Sequence, residues 1–355
     1  SACDLSTSEG RVDSLRALQK LTGCVFSCYP PIELTSPKQV LKTFNVLEID
    51  TQTTDEKELI LHKKHKEVKM LLELRGLQKV LSTYGESYLT FVGKIFDKDT
   101  GDERIHPEID QLGAHASGRT SGYNPNIQNI PATEHNGIYR TFFVASPGYK
   151  LVIADYSQIE LRLMAEICED EGMIQAFLRG DDMHELTAFE VFGPPGEKES
   201  KKDWRGKGKK VNFATPYGRG VNALMNDLGC SKGRAYKIID AYFSNKPQLK
   251  RFVAQAGREA IERGYSETLL GRKRFCPPIT ASTPSWEIGQ MDRELRNQII
   301  QGSASDMMKE ALYRVWEYYT YQLFWDDRRS LTSYIDAGLV RPVLYIHDEL
   351  VLEVR

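Results

Sequence analysis

The sequence predicts an α+β fold in which helices outweigh one small antiparallel sheet. Three observations carry this: apolar residues recur every three or four positions over much of the chain, one short apolar run stands at Lys150 to Asp155, and two more apolar runs close the sequence around His347-Asp348-Glu349. At 355 residues the chain is long enough for two or three subdomains with a sizeable core. Hydrophobic residues are 41% and charged residues 27%, which excludes a disordered chain. No apolar run reaches the length of a membrane span, and Ser1 to Gly10 lacks the basic region and apolar core of an export signal. An intracellular protein that avoids membranes is therefore expected. With 47 Lys and Arg against 49 Asp and Glu the net charge is -2, so total charge gives no reason to expect a nucleic-acid partner.

From the N-terminus, Cys28-Tyr-Pro-Pro31 reads as a break, and Ser36-Pro37 as an N-cap followed by a first-turn proline. Asp55 to Tyr84 is predicted as one long helix, with Leu59, Ile60, Val68, Leu71, Leu72, Leu74, Leu77 and Val80 on its apolar side. Its His62 to Arg75 stretch carries five Lys or Arg against two Glu, which fits a solvated face and a nucleic-acid contact equally well. Residues 113 to 131 are rich in Gly, Ser, Asn and Pro and are expected to be extended and irregular, as a functional segment or a linker. Lys150 to Asp155 is a buried strand, and Gln158 to Cys168 turns helical. After a loop at Pro194 to Gly196 come a basic helix at about 203–218 and an amphipathic one at about 231–263. A hairpin over Glu267 to Phe275 turns at Gly271, residues 287–320 are helical, and Pro342 to Val354 forms the closing hairpin. The six cysteines (Cys3, Cys24, Cys28, Cys168, Cys230, Cys276) form no paired framework or zinc spacing, and reduced thiols are expected.

Three groups of residues could carry chemistry. Asp155 ends its strand where the chain turns into a helix, a position that also suits a helix N-cap. Asp348 stands at the acidic tip of the closing hairpin. Neighbouring strands lie about 4.8 Å apart, so if the three strands share a sheet the two carboxylates can converge. Paired carboxylates repel unless a cation lies between them, and oxygen ligands suit Mg²⁺. Two such ions about 3.5–4 Å apart can clamp the attacking and leaving oxygens of a phosphoryl transfer. The third group is Arg205, Lys209, Phe213 and Tyr217, spaced by four and so forming one slowly winding stripe on a helix. Cations near the helix N-terminus suit phosphates and aromatics further along suit a base; a solvated basic face over core aromatics fits the spacing equally.

Asp155-Tyr-Ser-Gln-Ile-Glu-Leu-Arg162, Arg205-x3-Lys209-x3-Phe213-x3-Tyr217-Gly218 and His347-Asp348-Glu349 resemble, in order, motifs A, B and C of the family A DNA polymerases, the bacterial DNA polymerase I type. The segments SPKQVL at Ser36, GRTSGYNPNIQNIP at Gly118, ETLLGRKRFCPP at Glu267 and QGSASDMMK at Gln301 resemble the family's intervening stretches, so the likeness covers most of residues 35 to 355. It implies a right-hand polymerase fold with an antiparallel-sheet palm, helical fingers and a helical thumb. The division it suggests is an N-terminal segment and thumb over 1–110, palm over 111–180, fingers over 181–284 and the second part of the palm over 285–355. The function implied is template-directed addition of dNTPs to a primer 3′-OH with release of pyrophosphate, in DNA replication or repair. The implied location is cytoplasmic in a bacterium or phage, with an organelle or nucleus left open.

Residue by residue, the resemblance implies that Asp155, Asp348 and the carbonyl of Tyr156 hold two Mg²⁺ ions, for which Mn²⁺ can substitute, with Glu349 supporting them. Arg205, Lys209 and His184 would grip the phosphates of the incoming dNTP, Lys209 also serving as a proton donor to pyrophosphate. Phe213 would pack on its sugar and base, Tyr217 would stack near the template base, Glu160 would be the steric gate against a ribose 2′-OH, and Gln158 would join the nucleotide site. Arg119, Gln301 and His347 would contact the minor groove of the primer–template, Asn126, Gln128 and Asn129 its backbone, and Arg162 would also bind the DNA. The bulky Glu160 argues against a single-subunit RNA polymerase, where that position must admit a ribose. The intact Asp155, Asp348, Arg205 and Lys209 argue against a catalytically silent binding protein.

Several features depart from the family pattern. Pro216 should end or kink the motif B helix just before Tyr217. Gly206 and Gly208 should weaken its first turns by about 1 kcal/mol each, easing its movement. Trp316 to Val340 is longer than in bacterial relatives and reads as a surface insertion. The family usually continues with a further helix and strand after the closing hairpin, so the sequence reads as a polymerase core trimmed there. No acidic motif of a proofreading exonuclease is seen; an upstream exonuclease domain or a processivity factor would be a partner outside this sequence.

Overall fold

The computed structural model describes residues 33–92, 95–96, 103–111, 117–130, 139–325 and 331–355. The expectations for Cys3, Cys24, Cys28, the break at Cys28 to Pro31, residues 113–116 and Pro131 fall outside these residues. The chain divides into two compact units, up to Ser82 and from Thr83 onward.

In the first unit, Ser36 precedes α1 (Pro37–Val46) with the proline at its start, although the serine side chain makes no capping bond. The single helix expected over Asp55 to Tyr84 is two, α2 (Glu56–Leu61) and α3 (Lys66–Tyr84). The break falls in the polar run His62-Lys-Lys-His-Lys66, which offers no apolar side chain to the core and sets Lys63 three positions from Lys66. Val40, Phe44, Ile49, Leu59, Val68 and Leu71 form one buried cluster, while Leu77 remains exposed.

The second unit begins with the last residues of α3 and the short α4 (Glu86–Leu89), followed by two small antiparallel pairs, β1 (Ile95–Phe96) with β2 (Glu103–Arg104) and β3 (Glu108–Asp110) with β4 (Ser121–Tyr123). Strand β5 (Lys150–Asp155) leads into seven helices: α5 (Ile159–Ile167), α6 (Glu171–Leu178), α7 (Met183–Phe192), α8 (Lys201–Ala214), α9 (Gly220–Leu228), α10 (Lys232–Ser244) and α11 (Pro247–Arg263). These build the largest core, with Leu161, Met164, Met173, Met183, Leu224 and Tyr242 nearly inaccessible. Each such side chain contributes roughly 1.5–3 kcal/mol relative to exposure.

The one amphipathic helix expected over 231–263 is interrupted because Lys246, preceding Pro247, is pushed out of helical geometry. The Lys246 ammonium is buried there, 2.5 Å from Glu190 and over the Tyr242 ring. The hairpin β6 (Tyr265–Glu267) and β7 (Lys273–Phe275) turns through Gly271 at φ +84°. After it, α12 (Ser285–Asn297) passes through a π-helical turn, Gln298–Gly302, into α13 (Ser303–Tyr321). Among the described residues of Trp316 to Val340 lie the end of α13 and an antiparallel pair of β8 (Leu323–Trp325) with β9 (Leu331–Ser333), and Tyr318, Tyr321 and Leu323 are exposed.

The sheet that positions the site has three antiparallel strands in the order β10 (Val340–Ile346), β11 (Glu349–Val354), β5. β10 and β11 form a hairpin joined by His347 and Asp348, with His347 in the left-handed region at φ 52°. Helix α13 covers one face, setting Met308, Leu312, Val315 and Tyr319 against Val340, Tyr345, Leu350 and Leu352.

Candidate active site

The register of β11 against β5 places Glu349 opposite Asp155, and directly opposed residues of an antiparallel pair project from the same face. The N–H of Tyr156 donates to the carbonyl of Asp348 at 3.1 Å, tying the strand end to the hairpin tip. Asp155 and Asp348 therefore meet at one end of the sheet, and burial together with the Asp348 charge pushes the Asp155 carboxyl above its usual range. Arg140 lies 3.7 Å from Glu349 and balances that third carboxylate. Asp155 caps no helix: α5 starts at Ile159 behind Gln158, which is left-handed at φ 57° and has a buried Oε1 without a partner among the described residues. Left-handed geometry costs a residue other than glycine on the order of 1–3 kcal/mol. Gln158 and His347 thus place two strained residues beside the carboxylates.

No group of three or more His, Cys, Asp or Glu side chains suited to a metal occurs among the described residues. The chemistry of this end of the sheet nevertheless suits Mg²⁺, which is bound through one or two carboxylates and completes its shell with water and substrate phosphates.

Helix α8 begins at the N-cap Ser200, whose Oγ accepts the Asp203 N–H, and ends at Ala214, before Pro216 as expected. It carries Arg205, Lys209 and Phe213 on one stripe. The Arg205 guanidinium is held in a two-pronged ion pair by Asp182 Oδ2 at 2.9 and 2.7 Å. Asp182 also caps α7 through the N–H groups of His184 and Glu185 at 2.8 and 3.1 Å. Although burial opposes it, these contacts hold the Asp182 carboxyl below its usual range. The Asp182-x-x-Glu185 pattern is a legible capping box and could have flagged this residue from sequence. His184 is buried, its ring 5.9 Å from that of Phe213, while Lys209 lies over the same phenyl ring at 5.7 Å. Burial and the nearby Arg205 push the imidazole pKa down to about 4, with Lys209 adding to this and Asp182 opposing it.

The two glycines of α8 have different roles. A side chain at Gly206 would meet open space, whereas a Cβ at Gly208 would lie 2.0 Å from the carbonyl oxygen of His184 and 2.9 Å from the N of Ala188. Gly208 therefore permits close packing of α7 on α8, which replaces the expectation that it eases helix movement.

Tyr217 lies beyond the helix and off the stripe. It is 8% exposed, and its hydroxyl donates to Glu160, whose other oxygen pairs with Arg119. Burial, then Glu160, raises the phenol well above its usual range. The expected stacking face is thus inside the protein, for a physical reason: the turn after Pro216 directs the ring toward α5. Asn297 donates to the Tyr217 carbonyl at 3.3 Å, and the guanidinium of the buried Arg296 lies under Gly218, where any Cβ would come within 2.5 Å of it.

The residues expected to touch DNA are less uniform. Gln128 is buried and gives its amide to Thr120 Oγ1 and the Tyr345 carbonyl at 2.9 and 3.2 Å, so its side chain braces the 118–130 segment against β10. Asn126 caps the short helical turn Ile127–Asn129 by accepting the Gln128 N–H, while Asn129 is exposed. Arg162 packs over Phe177 at 4.5 Å and donates to the Ser157 carbonyl. Gln301 is half-buried on the π-helical turn, a feature frequent at functional sites.

A family model, DNA polymerase family A, matches residues 12–355. The chain belongs to this family. It is 38% identical over 288 residues to DNA polymerase I of Pseudomonas aeruginosa, covering 81% of this chain and 29% of that protein. It is 34% identical over 329 residues to DNA polymerase I of Helicobacter pylori, covering 91% of this chain and 34% of that protein. Among solved structures it resembles the POL domain of Pol1 from M. smegmatis in complex with DNA primer-template and dNTP, with a TM-score of 0.74 and 30% identity over 97% of this chain and 57% of that one. The chain spans about a third of the length of these curated relatives. As a family A polymerase chain it has the right-hand fold expected from the sequence. No helix among the described residues is long and apolar enough to cross a membrane.

Proposed function

We propose that this chain is the template-directed DNA polymerase region of its protein, extending a primer 3′-OH with dNTPs and releasing pyrophosphate, in replication or repair. The observation that carries this is the meeting of Asp155, at the end of β5, and Asp348, at the tip of the β10–β11 hairpin, at one end of the sheet. In this reading residues 111–180 and 285–355 are palm, 181–284 fingers, and the thumb lies within 1–110. Asp155, Asp348 and the Tyr156 carbonyl would hold two Mg²⁺ ions, or Mn²⁺ in their place, with Glu349 supporting them. Bound there, the ions would activate the primer hydroxyl and neutralise the triphosphate. Arg205, Lys209 and His184 bind and orient the phosphates, with Arg205 released from Asp182 as they arrive. Lys209, on the exposed side of α8, supplies a proton to the departing pyrophosphate. Phe213 packs on the nucleotide, Gln158 borders it, and Arg119, Asn126, Asn129, Arg162, Gln301 and His347 face the primer–template.

Primer extension on a templated duplex, with dNTPs against rNTPs and with and without Mg²⁺, tests the reading. Metal-dependent extension with dNTPs alone is expected; none at all would leave a binding protein.

The clamped Glu160 adds a second expectation. Its carboxylate is fixed from two sides, by Arg119 and Tyr217, and so makes a rigid wall at the sugar. Glu160→Ala should raise ribonucleotide incorporation relative to deoxyribonucleotide by roughly tenfold to a hundredfold, the range for a small steric change in a pocket. An unchanged ratio would remove Glu160 from that role.

A further inference from the structure

We propose that Asn212 is a positioning residue that locks His184 in the tautomer carrying its proton on Nε2, so that the ring presents a fixed hydrogen-bond donor to the nucleotide phosphates. The proposal rests on the reading that His184 faces those phosphates. Asn212 is 1% exposed on α8, facing α7. Its amide orientation is set by groups other than the histidine: Nδ2 lies 3.2 Å from the Met183 carbonyl, which can only accept, and Oδ1 accepts from the Thr187 hydroxyl at 3.2 Å. Turning the amide over would set two carbonyl oxygens against each other.

With Nδ2 placed, its 3.1 Å contact to His184 Nδ1 has one direction: the amide donates and the ring nitrogen accepts. The two amide hydrogens have two acceptors, and Nδ1 has no room for a proton. A neutral imidazole then carries its hydrogen on Nε2. An imidazolium would have to direct an Nδ1 proton at an NH₂ group, a mismatch inside a buried site. The charged groups around the ring act mostly the same way, Arg205 and Lys209 from α8 against it and Asp182 from the start of α7 for it. The backbone is equally held, since the His184 N–H donates to Asp182 and its carbonyl rests against Gly208. His184 is thus built as an uncharged donor beside two permanent cations. Nucleotide affinity should carry no histidine titration between pH 6 and 8, where an unperturbed imidazole changes charge.

The test uses the full chain labelled with ¹⁵N-histidine and no nucleotide, His184 being assigned by comparison with His184→Gln. A proton on Nε2 and a bare Nδ1 from pH 6 to 8 are expected; a proton on Nδ1, or a midpoint inside that range, overturns the proposal. Asn212→Asp keeps the shape but offers Nδ1 an acceptor. In that variant the proton should move to Nδ1 or the ring should titrate near neutrality, and the KM for dNTP should rise by about twofold to tenfold with a new pH dependence, kcat changing less. Thr187→Val, which frees the Asn212 oxygen without adding charge, should shift KM the same way by a smaller factor, and it serves if Asn212→Asp does not fold. An unchanged tautomer with a flat KM in the variant that folds overturns the assignment. Extension by the wild-type chain separates the two readings: an inactive protein with the expected tautomer counts against the polymerase reading alone.

Discussion

Asp155→Asn should abolish primer extension while leaving primer–template binding largely intact. The substitution keeps the shape of the side chain and removes one of the two carboxylates proposed as direct metal ligands, so it attacks cation binding and little else. Metal stabilisation of developing charge is worth several kcal/mol, or about three decades in rate. The same change should not destabilise the fold. In the metal-free protein burial and Asp348 raise the folded-state pKa of Asp155, so the folded state holds its proton more tightly than the unfolded chain. Stability on this account falls as pH rises from the ordinary carboxylate range through the raised value. At neutral pH the asparagine lacks that repulsion. Thermal melting in metal-free buffer should therefore give a Tm for Asp155→Asn at or above wild type, and added Mg²⁺ should raise wild type alone. Full activity in the variant would sink the assignment of Asp155 as a metal ligand.

Gly208→Ala should be the more damaging of two superficially equal changes. At Gly206 a methyl group meets open space, and replacing glycine inside a helix stabilises by about 1 kcal/mol. At Gly208 the methyl would sit 2.0 Å from the carbonyl oxygen of His184, a backbone atom with no rotamer to escape into. Overpacking of this kind costs about 1–3 kcal/mol or more. Each kcal/mol lowers Tm by roughly 2–4 °C in a unit of this size. Separation of α7 from α8 also draws His184 and Asp182 away from Arg205 and Lys209, so KM for dNTP should rise together with the loss of stability. Equal melting temperatures for Gly206→Ala and Gly208→Ala would show that the helices can move apart without cost.

These glycines mark the boundary of what the sequence discloses. The strand at Lys150 to Asp155 and the closing hairpin were legible from short apolar runs and turn chemistry, which could be joined into one sheet, but the first strand is mostly exposed where its apolar run pointed to burial. The ordered motifs identified the family and the location of the acids and cations. The break between α2 and α3 falls where the apolar pattern lapses between Leu61 and Val68, so the signal was in view but the periodic runs on either side invite joining. Gly208, Asn212 and Arg296 owe their roles to what approaches them from other helices, and a linear reading assigned Gly208 only its intrinsic helix weakness. Tyr217 shows the same limit: spacing by four placed it on the stripe, whereas Pro216 and the pull of Glu160 turned it inward. The charge pattern was hidden differently. Residues 201–210 hold six cations and one acid, a local charge of +5, while the other 345 residues sum to -7, so a neutral total conceals a strongly positive helix.

The pairing of β11 with β5 ends at Glu349 and Asp155, the last rung of the ladder. Side chains alternate faces along a strand, so a slip of one residue would put the Asp155 carboxylate on the opposite side of the sheet and about 3.4 Å away. The sheet therefore works as a gauge, and its tolerance is less than one residue. Leu350 and Leu352, which are buried against α13 and touch no reactant in the proposed chemistry, become part of the instrument because a slip of β11 would turn them out of that core. Inheritance of activity in this chain then depends on two kinds of position: the few that meet the cation, and the unreactive ones that keep the scale from shifting.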